Sequence, residues 1–580
     1  METKETQQDT ELGRNYNLLQ EAWIPVLREN GVSDWIAPHQ ITEGLPTEKQ
    51  RTKGLCGDGK SVIVRLDSNR ADFNAAIAQF LIGLFQTAFA PDTEAEWEHD
   101  YKNPPTPDEL KEAFQHYTDF FWLDGAGARF MQDSSAKEVE EVARMNQLLL
   151  DAPDASTGEK KIDHFIKTQT TQSISKEAVI PAIIAKQLYS PGIGTGYRQA
   201  LRGSKFLTTL AQHQKVLWYG VWLNIIPMNV FTVRLQGKNI GVEQHDIFPW
   251  MQPPTSENGE IITPSDVHAL TVYWSMPERQ WMHFEKNNTD CDIYGHALRK
   301  KDSEGEQTDS ERVSTYGKLN KGGNYKGLWL HPLSPVQEGR TTQSLSSAKL
   351  PETALGYHLW LGIVQTVADK SIAKKPALAI DYLLNTAKYV DRATTRWQFV
   401  QKQEQQRNQH QQELKDRTTQ TLSDITIWTF GLDNDSAKIN AWLDSQIPII
   451  YVSGEYRNDF EMTVEDMILA SEKTAQKLKT AFTTATKRQS SSVASNATLA
   501  NAVEERFWRF TENEFYQRLQ NLKEALEKEQ PDTGCIEKTK QDWRKYVRGK
   551  AESIFLASLT PSHLRSNPKQ YISGMKELKK

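Results

Sequence analysis

A chain of 580 residues and 66.2 kDa is too long for one hydrophobic core, and at roughly 100–200 residues per domain it should hold two to four packed units. Hydrophobic residues at 38%, charged residues at 25% and a supply of 16 Trp, 18 Tyr and 21 Phe exclude a disordered chain, while a net charge of −6 and a pI near 6.2 exclude a globally basic nucleic-acid coat and leave room for local basic patches. Three widely spaced cysteines (Cys56, Cys291, Cys535) exclude a disulfide framework and suit a reducing cytoplasm.

Residues 1–16 are polar and acidic, lack the apolar stretch of a signal peptide, and read as a flexible tail. A short strand over 23–27 and a β-branched run over 62–66 lead to an apolar helix over 72–90. Even its apolar stretch 80–89 is broken by Gly83 and Gln86 and falls short of the ~18 residues of a membrane span. Helices follow over 107–121 and 135–150, then a long polar loop over 151–175 and a helix over 176–189 that stops at Ser190-Pro191. Residues 225–350 are rich in Pro, Gly and polar residues, with strand-like pieces at 230–233 and 271–274. The stretch 401–417 is almost wholly polar and reads as a solvated helix or linker. A strand-like run over 425–430 comes next, then a helix leading to Trp442. Beyond residue 450 the apolar positions recur at three and four, as in Val464, Met467, Ile468, Ser471 and Ala475, which predicts a bundle of amphipathic helices with a loop over 488–500.

Gly54-Leu55-Cys56-Gly57-Asp58-Gly59-Lys60-Ser61 satisfies the G-x-x-x-x-G-K-S pattern of a phosphate loop. That loop works because a buried strand delivers the chain to the turn and a helix, amides facing the phosphates, begins right after it. Here polar residues precede the turn and a strand-like run follows, so the stretch reads as a polar hairpin or loop. Gly192-Ile193-Gly194-Thr195-Gly196 is no dinucleotide fingerprint either, since Pro191 precedes it and Tyr197 stands where the third glycine belongs. Three glycines in five residues nevertheless allow close backbone approach, and Arg198, Arg202 and Lys205 follow, which suits either phosphate contact or an ordinary turn with solvated cations. His283, Cys291 and His296 are too loosely spaced for a zinc site, and Ser173-Ile174-Ser175-Lys176 reads as a helix cap. Asn434-Asp435-Ser436-Ala437-Lys438 is either the cap of the helix leading to Trp442 or a polar turn presented to a ligand. No carboxylate pair or Ser/His/Asp order marks a catalytic site. The residues favour a binding protein without metal or cofactor over a nucleotide-dependent enzyme or a nuclease.

Asn17-Leu18-Leu19 with Trp23-Ile24-Pro25-Val26, Asn103-Pro104 through Phe130-Met131-Gln132, Ala200-Leu201-Arg202-Gly203, Gly327 through Pro335, and Phe430 through Lys438 follow one another across most of the chain. Together they resemble the CasA family, the large subunits of Cascade, the type I-E CRISPR surveillance complex. The resemblance implies an α+β protein, with a large mixed α/β globular domain over 17–450 that contacts DNA and a four-helix bundle over 451–580. It implies a non-catalytic subunit of antiviral defence that reads the target-flanking motif (PAM), promotes strand separation and R-loop formation, and helps recruit the helicase-nuclease. Its partners would be the other Cascade subunits, CRISPR RNA and target double-stranded DNA, in the cytoplasm and without a membrane. By the same resemblance a minor-groove loop falls at Phe165, Ile166 and Lys167, and a glycine loop at Gly192, Gly194 and Gly196 with Arg198 and Arg202 after it. The lysine finger is most nearly Lys321, and the strand-separating wedge comprises Asn434, Asp435, Ser436 and Lys438. Family members often carry glutamine where this chain has Ser436, and some have clustered cysteines before the lysine finger, where only Cys291 lies nearby here.

Overall fold

The computed structural model describes residues 14–47, 50, 57–133, 140–143, 145–151, 171–189, 202, 205–234, 247–251, 268–276, 280–284, 290–297, 331–338, 345–348, 350–351, 355–368, 373–385, 425–435, 438–450, 452, 454–486, 493–528, 530–559 and 568–579. These fall into two compact units. The first takes the described part of 1–349 with 377–385 and 431–442, and the second the described part of 350–376, 386–430 and 443–580.

The first unit opens on β1 (Ile24–Arg28), β2 (Ser33–Ile36) and β3 (Ile63–Leu66), with β1 central and antiparallel to both. Side chains alternate along β1, so Ile24 and Val26 are buried, and Arg28 joins them only because Glu43 and Asp34 neutralise it at 2.7 and 2.8 Å. The helix α1 (Ala71–Ala88) is apolar on nearly every side, as a helix must be when partners surround it. Its Phe80 ring meets Trp23, Phe121, Phe130 and Trp274 edge-on at 5.1–6.0 Å, which makes it the hub of an aromatic core. Helices α2 (Glu94–Lys102) and α3 (Pro107–Gln115) start on Thr93 and Thr106, whose hydroxyls accept the amides of Glu96 and Glu109.

The expectation of a helix over 135–150 does not hold. Its described residues form β4 (Glu140–Ala143) and a 3-10 turn at Met145–Leu148, because Val142 and its neighbours pair with another strand. That strand is β8 (Asp290–Ala297), which also pairs antiparallel with β5 (Ile174–Ser175) and β7 (Gln280–Phe284). The helix α4 (Lys176–Tyr189) follows β5 and matches its expected span, and β6 (Thr208–His213) and α5 (Leu217–Trp222) come after it. The strand-like piece 230–233 lies instead in helix α6 (Met228–Arg234), and 271–274 in a 3-10 helix over Ala269–Tyr273. β-branched content alone misled both readings, since Phe231, Leu270 and Val272 are buried by tertiary packing whichever backbone carries them. β9 (Val336–Glu338) pairs with β10 (Leu345–Ser347), β11 (Val367–Ala368) pairs with β12 (Ala373–Lys375), and α7 (Leu378–Asn385) rejoins the first unit. β13 (Ile425–Asp435) and β14 (Lys438–Pro448) are neighbours in a sheet.

The second unit ends in α8 (Arg457–Thr486), α9 (Val493–Leu526), α10 (Gly534–Ser558) and α11 (Pro568–Lys579), the expected bundle. The loop expected over 488–500 is shorter, because α9 already begins at Val493 in an Ala-containing stretch with high helix propensity. Trp543, fully buried, donates its indole N–H to the Met467 carbonyl at 2.9 Å and to Ser471 Oγ at 3.0 Å, locking α10 to α8. Tyr357, from the segment preceding β11, stacks on Phe515 at 4.3 Å and hydrogen-bonds Thr511 at 3.0 Å, so residues before the helices complete their core.

Candidate nucleic-acid interface

Asn434, Asp435 and Lys438 lie at the facing ends of two strands of a β-hairpin, not at a helix start. β13 ends at Asp435, β14 begins at Lys438, and two residues separate them. Cross-strand bonds knit the hairpin: Thr426 Oγ1 donates to Gln446 Oε1 at 2.7 Å, Trp428 Nε1 to Asp444 at 3.3 Å, and Asn440 Nδ2 to Asp433 at 3.1 Å. The helix-capping reading therefore falls, because the residues after the turn are extended and paired. Asn434 is buried, and the backbone of Asp435 and Lys438 brackets the turn; Ser436 lies outside the described residues.

The distal half of this hairpin is anchored within the first unit. Asp433 Oδ1 receives an ion pair from Lys205 Nζ at 3.0 Å, and the Tyr189 ring meets Trp442 edge-on at 5.1 Å while stacking on Phe206 at 5.4 Å. Tyr189 and Lys205 flank the glycine segment on either side. Lys205 has φ of 55°, the left-handed region that costs a side-chain-bearing residue about 1–2 kcal/mol. The strain is held where the segment rejoins the fold and turns the Lys205 ammonium onto the hairpin.

Arg202 is placed differently from a phosphate-contacting cation. Its guanidinium lies 4.2 Å over the Phe206 ring and donates to Thr208 Oγ1 at 2.9 Å, Ser334 Oγ at 3.1 Å and Gln79 Oε1 at 2.5 Å. Burial pushes its pKa down to about 10, so it is still cationic at neutral pH. With these donors committed inside the protein, Arg202 ties its own position to α1 and β6. Gln79 also bonds the Tyr189 hydroxyl, whose pKa burial raises, so one polar network joins α1, α4 and Arg202. Phe165, Ile166, Lys167, Gly192, Gly194, Gly196, Arg198 and Lys321 lie outside the described residues.

The apparent phosphate loop is scaffold where it is described. Asp58 accepts the amides of Gly44 and Lys60 at 3.2 and 2.9 Å, Lys60 Nζ pairs with Glu43 at 2.5 Å, and the chain then runs into β3. No helix N-terminus follows the lysine, and its ammonium is occupied. Ser175, not Ser173, caps α4 by accepting the Ala178 amide at 3.4 Å. Sequence reasoning missed the buried pair next to it: Lys176 Nζ meets Asp124 at 2.6 Å between the rings of Tyr16 and Phe284. It also missed Gln79, for which a polar residue on an otherwise apolar helix was the available signal, and the seating of Trp442 against Tyr189. Among the described residues no three His, Cys, Asp or Glu side chains are placed to hold a metal, and no helix is long and apolar enough to cross a membrane.

The family model for CRISPR-associated protein Cse1 matches residues 17–554. The chain belongs to the Cse1 family. The Cse1 match covers both compact units. Among solved structures the chain is similar to the CasA of Thermus thermophilus, at 16% identity and a TM-score of 0.60 over 98% of this chain and 98% of that one. It is also similar to Thermobifida fusca Cse1, at 14% identity and 0.59 over 97% and 98%. A chain from a structure titled CRISPR RNA-guided surveillance complex matches at 12% identity and 0.60 over 97% and 99%. At such identities the likeness is one of fold, and it extends along the whole Cse1 chain, mixed unit and helices alike.

Proposed function

We propose that this protein is the non-catalytic large subunit of a type I-E CRISPR RNA-guided surveillance complex, that it reads the motif flanking the target in double-stranded DNA, and that it promotes strand separation. Membership of the Cse1 family and the likeness to a surveillance-complex chain support the assembly. The observation that carries the DNA role is the anchoring of the hairpin to Lys205 and Tyr189, the described residues that flank the glycine segment in sequence, through Lys205–Asp433 and Tyr189–Trp442. A glycine-rich backbone can approach a minor groove, whose edges distinguish A·T from G·C only coarsely, and a polar turn carried by an anchored hairpin would act as a wedge. Unstacking one step costs about a few kcal/mol, and guide pairing nearly offsets the duplex lost, so no hydrolysis of nucleotide is needed. The opened strand would then be passed to a helicase-nuclease.

The test uses the assembled complex and a duplex carrying a fluorescent base analogue next to the flanking motif. Asp435→Ala with Lys438→Ala is expected to slow motif-dependent opening about tenfold or more with assembly intact. Lys321→Ala and Gly194→Pro are expected to weaken discrimination of the motif. Opening and discrimination at unaltered levels in all three variants would sink the reading. Binding should also weaken steeply with salt, since phosphate contacts release counterions.

A further inference from the structure

One buried carboxamide holds both residues that border the glycine segment. Gln79 lies in the middle of α1, 5% exposed, among the Phe, Ile, Leu and Ala side chains that this helix buries. Its Nε2 donates to the Ala75 carbonyl at 3.0 Å and to the Tyr189 hydroxyl, and its Oε1 accepts Arg202 Nη2 at 2.5 Å. Tyr189 is the last residue of α4, and Arg202 is the next described residue along the chain. The two ends from which residues 190–201 depart, with Gly192, Gly194 and Gly196 between them, are therefore tied to a single side chain. The same tie reaches the hairpin, since the Tyr189 ring seats Trp442 at 5.1 Å and Lys205, which follows Arg202, pairs with Asp433 at 3.0 Å. A glutamine that only filled space here could be a methionine or leucine, because a buried carboxamide costs free energy unless its partners need it. These partners do: the other acceptors of the Arg202 guanidinium, Thr208 and Ser334, are neutral hydroxyls.

We infer that Gln79 is a positioning residue for motif reading: by fixing Tyr189 and Arg202 together it limits the conformations open to the backbone between them before DNA arrives. The inference rests on the function proposed above, in which the glycine segment and the hairpin act on the duplex. Gln79 is buried and acts through its two partners. A loop whose ends are already held gives up less conformational freedom when it binds. That gain belongs to the duplex carrying the correct motif, whereas a duplex held through its phosphates alone draws nothing from it.

Two measurements test the role. On the free chain, limited trypsin digestion read by mass spectrometry reports release of the Arg202 side chain for cleavage. In the assembled complex, competition between duplexes with the correct and an altered flanking motif reports discrimination. Gln79→Met keeps side-chain length and helix propensity and removes both bonds. It is expected to speed cleavage after Arg202 about tenfold, to leave cleavage after Arg518 in α9 unchanged, and to cut discrimination about tenfold at unchanged affinity for the altered motif. Gln79→Glu offers the guanidinium a carboxylate and still accepts the Tyr189 hydroxyl proton, so it should match the wild type in both measurements. Tyr189→Phe removes one arm, keeps the ring beside Trp442, and should cost about threefold in discrimination, which decides the matter if Gln79→Met does not assemble. Unchanged cleavage after Arg202 in Gln79→Met, or equal acceleration after Arg518, overturns the clamp. Full discrimination in Gln79→Met and Tyr189→Phe, or a Gln79→Glu that behaves like Gln79→Met, overturns the positioning role. A wild-type complex blind to the motif would sink the proposed function and the reading role with it, while the cleavage result would still decide the clamp.

Discussion

Lys205 combines two opposing contributions in one residue: a left-handed backbone that is costly for any side chain and an ion pair to Asp433. The pair is partly exposed, so it contributes only about 0.2–1 kcal/mol. Lys205→Gly removes the strain together with the pair, whereas Lys205→Ala removes the pair alone. We therefore expect Lys205→Gly to be the more stable variant by about 1 kcal/mol, read from denaturant midpoints. Both variants should loosen the hairpin and slow duplex opening. Buried histidines set a second expectation. His213 accepts the Val216 amide through Nδ1 and is pushed down to about 3, chiefly by burial. His358, half-buried beside Trp508 and with both ring nitrogens buried and unbonded among the described residues, is pushed down to about 4, again by burial and then by Lys374. A depressed folded pKa means that the unfolded chain takes up the proton first. Stability is therefore undiminished above pH 6.5 and falls as pH drops from there to about 4 for His358 and on to about 3 for His213. Denaturant midpoints should decline over that window, and His358→Gln should flatten the decline. None of this was legible in the sequence, where 13 histidines carry no sign of burial.

At the level of elements, periodicity read well wherever one partner dominates the packing and poorly where two compete. α4 was legible to the residue because Ser175 caps it and an apolar run follows. Residues 438–448 were not, since Lys438 to Trp442 suits a helix locally and only pairing across from β13 makes it extended. That single error turned the wedge region into an apparent helix cap. Trp442 is the element's own test. It seats against Tyr189 at 5.1 Å, so Trp442→Ala should free the hairpin from its platform while β13 and β14 remain paired. Faster amide exchange at residues 431–442, with the rest of β13 still protected, is the expected result. In the bundle, a Cβ added at Gly574 would come 2.6 Å from the Ala481 carbonyl oxygen, backbone that cannot step aside. Gly574→Ala should destabilise the bundle by about 1–3 kcal/mol, measured by thermal unfolding.

At the scale of the whole molecule, the sequence carried the α+β class and three of the terminal helices, because amphipathic stripes over 464–555 repeat often enough to outvote local exceptions. It did not carry the division into units, which depends on contacts distant in sequence. The chain leaves the first unit after residue 349, returns for 377–385 and returns again for 431–442. Tyr357, reaching Phe515 and Thr511, is one reason the bundle's unit starts a hundred residues before its first long helix. A gene split at residue 450 would therefore not yield two independent proteins. The C-terminal fragment would show a bare slot lined by Trp508 and Phe515 where Tyr357 belongs, and it should aggregate when expressed alone. Supplying a peptide over 350–376 in trans should restore its solubility, so the chain is better pictured as a woven cloth than as beads on a string.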